Sequence, residues 1–282
     1  MLDEEGGGEV IFLALATVYS FVIPLKGSLA LTDTLVLLVL FGFYVRFAAR
    51  QAVHEPELMG PAELVARLPR KLRRLATVLM FIYAAFGIFS CAEPFAESLV
   101  AAGVVLGINE FYLVQWLAPL ASESPEFLVA ALFCWKGRPT AGLGTLVSSK
   151  VNQWSLLVGT VPLVYALALW SADKPLGHMP LDERQFGELL LTGAQSYLAV
   201  AVILNLRFTL ANAFWLALLF TTQLGVTIGI EEMGIADASG WLLREKYFFS
   251  ALYLVVGSYY LFKNRRFLPA HLRSAFGGRH AQ

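Results

Sequence analysis

Residues 111–135 read FYLVQWLAPLASESPEFLVAALFCW. A helix of about 20 mostly apolar residues crosses the hydrocarbon core of a bilayer, and this stretch is long enough to do so. It nevertheless carries Glu123 and Glu126 with Pro125 between them. The surrounding chain decides how such a segment is read. Of the 282 residues 57% are hydrophobic and 15% charged, against roughly 25% charged in a soluble domain. The mean hydropathy is +0.64. These values predict an all-α, polytopic membrane protein. A formal net charge of zero gives no basic footprint for nucleic acid.

Scanning outward from 111–135 gives eight windows of spanning length, at about 9–24, 29–47, 74–104, 110–135, 140–170, 186–206, 208–229 and 241–263. The longest of them predict tilt, kinks or ends that project into water. Loop-like breaks fall at 25–28, 136–142, 171–184 and 231–240. Lys and Arg in short connections remain cytoplasmic. The connection 46–74 holds Arg46, Arg50, Arg67, Arg70, Lys71, Arg73 and Arg74. Placing it inside also places Lys136, Arg138, Arg207, Lys263, Arg265, Arg266 and Arg273 inside. Both termini are then cytoplasmic, in a multi-pass protein of a bacterial inner or plasma membrane. Lys26, Lys174, Arg184, Arg244 and Lys246 fall on the outer side and dilute the contrast, and Asp3, Glu4 and Glu5 open the chain on the inner side. Segment 55–72 is mildly amphipathic and reads either as an interfacial helix or as a solvated loop. The start lacks the basic region of a signal peptide, so the first window reads as a retained span. Cys91 and Cys134 lie in apolar segments with no paired spacing and read as packing residues.

An ionisable residue inside a span costs about 2.5–3.5 kcal/mol or more and marks a cavity, a partner or a function. Glu93 and Glu97 are four apart, and Glu123 and Glu126 three apart, so each pair shares a helical face. The next window carries Ser148, Ser149, Lys150, Asn152 and Gln153. Proline removes a helix N–H and frees the carbonyl four residues earlier. Pro119 would free that of Gln115 and Pro125 that of Ala121. A broken helix lining a wet cavity offers such carbonyls to cations. Together with hydroxyls and carboxylates they make a hard-oxygen set suited to Na⁺ or Ca²⁺. Glu93 and Glu97 also fit the interfacial water at a span end, and Lys150 also fits a purely electrostatic tether. Gly142, Gly144 and Gly159 read as close-packing points between helices. No nucleophile motif or phosphate loop is present, so the expectation is not an enzyme, with no soluble cofactor.

The order of these motifs resembles one α-repeat of the sodium/calcium exchanger membrane region, in the cation/calcium antiporter superfamily. In that family A-E-x-F-x-[DE] is followed by G-[IV]-[SN]-E-x-x-[IV], G-T-S-x-P-E and G-N-x-x-G-S-N. Here AEPFAE stands at 92–97, GINEFYLV at 107–114, ASESPE at 121–126 and GTLVSSKVNQ at 144–153. The resemblance implies two inverted five-helix repeats with a cation site at mid-membrane. This chain holds one S-x-P-E motif and so corresponds to half of that inverted-repeat fold plus flanking helices. Residues 1–47 would be two helices ending the first half, 48–73 a basic cytoplasmic linker, and 74–230 the second repeat of five helices. Residues 231–282 would add a further spanning helix and a basic tail. The first α-repeat would then lie in a longer protein or come from a second chain or dimer mate.

Carried over by position, the resemblance makes Glu126 the cation-binding glutamate and gives Ser122 the hydroxyl of the family's threonine. Glu123 and Ser124 depart from the pattern. Thr145, Lys150 and Gln153 stand where asparagine, asparagine and an aspartate or asparagine are usual. The expected cation- or proton-binding set is Glu126, Glu123, Ser122, Lys150, Asn152 and Gln153, with Glu126 and Glu123 as metal ligands. Glu93, Glu97, Thr145 and Ser149 are secondary. Lys150 is the expected companion of Glu123, and a fixed ammonium at about 4 Å from a bound cation repels it by about 4 kcal/mol at an effective dielectric of 20. The expected activity is cation antiport, sodium/calcium or sodium/proton, with Na⁺, Ca²⁺ or H⁺ as cargo. The alternative is a degenerate half-exchanger that acts as a membrane subunit, or a truncated remnant, without transport.

Overall fold

Helix is what a backbone buried in hydrocarbon must form, because no water is present to satisfy its N–H and C=O groups. The computed structural model describes residues 6–51, 61–107, 118–233 and 237–276. In chain order the elements are α1 (Gly6–Lys26), β1 (Ser28–Leu29), α2 (Leu31–Ala48), α3 (Pro61–Ala66), α4 (Arg70–Leu106) and α5 (Ala118–Trp135). There follow α6 (Pro139–Asn152), a π-helical turn (Gln153–Leu157), α7 (Val158–Ser171), β2 (Met179–Pro180), α8 (Glu183–Ile203), α9 (Leu210–Glu232), α10 (Ala238–Asn264) and α11 (Leu268–Phe276). Among the described residues, six segments are long and apolar enough to cross a membrane: α1, α2, Arg70–Val105 of α4, the continuous run Pro139–Ser171, α8 and α9. The described part of α5 carries Glu123 and Glu126, and α10 carries Arg244, Glu245, Lys246 and Lys263. Those charges hold both below the same measure. At about 1.5 Å per residue, the 37 residues of α4 exceed the roughly 30 Å hydrocarbon layer, and its basic start, RKLRR, forms one projecting end.

Contacts divide the chain into two units, Met1–Gln51 with Val129–Gln282, and Ala52–Leu128. In the first, α1 is the central helix, packed against α8, α11, α6 and α2. Val10, Phe12, Leu13 and Ala16 of α1 join Tyr44, Val147, Val151, Trp154 and Leu204 in one apolar core. A second core forms where α8 meets α10, around Leu191, Leu198, Phe249 and Tyr253. In the second unit, α4 carries large exposed apolar side chains such as Phe81, Tyr83 and Phe89; in a spanning helix these suit lipid contact.

Several helix starts follow from short-range hydrogen bonding. Asp182 caps α8 by accepting from the Gln185 N–H at 2.7 Å, while the Gln185 side chain accepts from the Asp182 N–H at 3.1 Å, a reciprocal capping box. Thr209 accepts from the Asn212 N–H at the start of α9. At α2, Asp33 accepts from the Ala30 N–H at 2.8 Å, from Tyr19 Oη at 2.6 Å and from Lys26 Nζ. Asp33 is fully buried, and these three donors compensate its charge.

Two fastenings constrain the topology. β1 pairs antiparallel with β2, Ser28 opposite Pro180 and Leu29 opposite Met179, so the connections after α1 and after α7 lie on one side of the bilayer. On α11, His271 Nε2 bonds the Leu204 carbonyl at 2.7 Å and its ring packs where a Gly7 side chain would stand. The start of α1, the connection after α8 and the segment after α10 therefore share a side. Since α9 carries the chain away from Leu204, α10 must bring it back, despite the charges that lower its hydropathy.

The structure gives detail to three expectations. Lys26 and Lys246 do not act as free loop charges: Lys26 pairs with Asp33, and Lys246 with Glu188 at 2.7 Å. Arg244 lies over the Trp241 ring. Gly142 and Gly159 are close-packing points, since added Cβ atoms would lie 2.8 Å from the Ala130 carbonyl oxygen and 3.0 Å from Leu37 Cβ, but Gly144 has no described atom within 4 Å of such a Cβ. Of the amphipathic segment 55–72, Pro61–Ala66 form the short α3, with Glu63 paired to Arg67, and residues 70–72 begin α4; residues 55–60 lie outside the described residues.

Candidate cation site

The S-x-P-E stretch lies within α5, and the helix continues through Pro125. The expected break is absent: a single proline removes one ladder bond but leaves enough neighbouring bonds to carry the helix on. The expected effect of Pro119 on Gln115, and most of the motif at 107–114, lie outside the described residues. Ser122 is exposed, Glu123 and Glu126 are half-buried, and the i, i+3 spacing holds both carboxylates on one helical face. Glu126 Oε2 is buried and has no hydrogen-bond partner. A buried, unsatisfied carboxylate oxygen is a costly state that a proton or cation relieves. In α4, Glu93 and Glu97 lie one turn apart and are exposed. Cys91 and Cys134 are free thiols and exposed.

The polar residues of α6 divide between two faces. Thr145, Ser148, Ser149 and Asn152 follow the 3.6-residue period along one face. Ser148 shares a hydrogen bond with Tyr44 Oη of α2, and the Thr145 hydroxyl is committed to the Ala141 carbonyl at 3.0 Å. Ser149 is half-buried and Asn152 exposed. Lys150 points elsewhere and donates to Gln153 Oε1 at 2.6 Å. At Gln153 the helix changes to a π turn, in which the Val158 N–H reaches back to the Gln153 carbonyl. Such single-turn bulges occur frequently at functional sites, and this one directly follows the polar stretch.

Sequence reasoning missed two features. Tyr44, which nothing in its apolar window singles out, ties α2 to Ser148. A second polar cluster joins α8, α9 and α10, comprising Glu188, Gln195, Gln223, Thr227, Glu245, Lys246 and Tyr253. The rule that singled out Glu123 applies equally to these residues. Lys246 was instead assigned to an external connection because it lies near a span end. Among the described residues, no group of three His, Cys, Asp or Glu side chains gathers to hold a metal ion.

A multi-pass helical protein with ionisable groups held inside its spans falls in the class of polytopic membrane proteins to which ion transporters belong. Within that class, this chain belongs to the sodium/calcium exchanger protein family, whose sequence profile matches residues 76–229. The matched region contains AEPFAE, ASESPE, Lys150 and the π turn. A solved structure described as the crystal structure of the H⁺/Ca²⁺ exchanger CAX is similar, with 38% sequence identity and a TM-score of 0.83. The similarity covers 97% of this chain and 66% of that one, so the chain spans just under two thirds of that structure's length. No curated protein matches the chain.

Proposed function

We propose that this chain serves cation antiport, with Glu126 as the principal cation- or proton-binding residue and Glu123 and Ser122 beside it on α5. The observation that carries this reading is the buried, unpartnered Oε2 of Glu126, at the S-x-P-E position of a chain that belongs to the exchanger family. Asn152, Gln153 and Ser149 on α6 are the proposed accessory oxygens, with Thr145, Glu93 and Glu97 secondary. The similar structure is named an H⁺/Ca²⁺ exchanger, which makes protons and calcium the first pair of ions to test. Lys150 supplies fixed positive charge, and its proposed pairing with Glu123 leaves Glu126 to take the cargo. The proposed orientation keeps the termini and the basic 46–74 connection cytoplasmic, and a second chain or dimer mate is the proposed source of a matching repeat.

The test is calcium flux against an imposed proton or sodium gradient in proteoliposomes. Transport by the natural chain that is abolished in Glu126→Gln supports the assignment. Undiminished transport in that variant removes Glu126 from the site. A natural chain that folds and moves no cation favours the half-exchanger subunit.

A further inference from the structure

In the bundle of α8, α9 and α10, two carboxylates share one ammonium. Lys246, 6% exposed, pairs with Glu188 at 2.7 Å. Glu245 is also 6% exposed, and neither of its carboxylate oxygens has a hydrogen-bond partner at normal geometry. Among the described residues, the charged and titratable groups facing it are Glu188 of α8 and, on α10 itself, Lys246 and Tyr253; Thr227 and Gln223 of α9 are its neutral neighbours. With every group ionised the cluster carries one uncompensated negative charge, in surroundings where such a charge is among the most costly things to bury.

We propose that Glu245 is a proton-binding residue, a carboxyl group that holds a proton inside this bundle and is separate from the S-x-P-E stretch. A proton removes the surplus charge and turns one oxygen into a donor toward the Thr227 hydroxyl, whose own proton goes to the Gln223 backbone carbonyl. A metal cation is the poorer occupant. Gln223 Oε1 already accepts from Gln195 Nε2 at 2.7 Å and from Tyr253 Oη at 3.2 Å, which leaves Glu245 and the Thr227 hydroxyl as ligands, too few for a hard cation that takes about six oxygens. Neither Glu245 nor Lys246 lies in the segment matched by the family profile, and the proposal rests on burial and charge count, independent of the transport reading.

Infrared difference spectroscopy of the full chain in lipid, titrated from about pH 6 to about pH 9, above the range where an ordinary Glu loses its proton, tests this directly. The expected result is a protonated-carboxyl band at neutral pH that loses one group's intensity in Glu245→Gln, and loses it equally when that substitution is made in the Glu126→Gln chain. An unchanged band in a folded Glu245→Gln overturns the proposal. The natural chain supplies a second measurement that does not depend on the variant's folding. Its band should be the same in sodium and in choline chloride; loss of one group's intensity on adding sodium, with the Glu126→Gln chain responding equally, shows a cation in place of the proton and also overturns the proposal.

Discussion

The S-x-P-E stretch of α5 and the cluster joining α8, α9 and α10 both place glutamates in apolar helices, but they handle the charge differently. On α5 the carboxylates are half-buried, and one oxygen of Glu126 is left without a partner. In the α8–α10 cluster Glu188 is paired with Lys246, while both carboxylate oxygens of Glu245 lack a hydrogen-bond partner. Glu188 is matched within the protein and holds helices together; Glu126 and Glu245 keep unpartnered oxygens that a cation or a proton relieves. The composition of a span does not separate these cases, but partner geometry does.

Replacing Lys246 with Met should produce the largest change in stability. It leaves the half-buried Glu188 without its ammonium, a loss of up to about 3 kcal/mol, the lower end for a broken buried pair, read as a fall in the denaturant midpoint in detergent. Adding Glu188→Gln should recover much of that loss, because removing both charges costs far less than removing one. A Lys246→Met chain as stable as the natural one would break the contrast between the two regions.

Gly142→Ala comes next. The added methyl meets the Ala130 carbonyl oxygen at 2.8 Å and Cys134 Sγ at 3.0 Å, so α5 and α6 must separate, at about 1–3 kcal/mol for overpacking. Gly144→Ala, with no described atom within 4 Å, should cost nothing measurable, and the pair of melting curves checks this. The smallest measurable loss belongs to Tyr44→Phe, which removes the hydrogen bond to Ser148 and keeps the ring contact with Phe12, at about 1 kcal/mol. A larger loss of transport than of stability in Tyr44→Phe would assign Tyr44 to the transport machinery.

The helices were legible because each apolar window is long enough to demand one, and Glu123 and Glu126 stood out because charge and proline are rare inside such windows. Other features depended on packing. Whether Lys246 faced water or Glu188 turned on which face of α10 met α8, and a periodic pattern that is apolar all round does not reveal that. Lys26 read as a loop base until the fold joined it to Asp33 of α2. The π turn at Gln153 has no sequence signature of its own. Pro125 misled in the opposite direction: proline predicts a break, yet α5 carries it as a single missing bond.

The most direct test of the central claim is cation flux in proteoliposomes containing the natural chain, Glu126→Gln, or Lys246→Met with Glu188→Gln. The account predicts that Glu126→Gln folds with near-natural stability and moves no cation, while the double variant of the α8–α10 pair still transports. Equal flux through Glu126→Gln and the natural chain would contradict it.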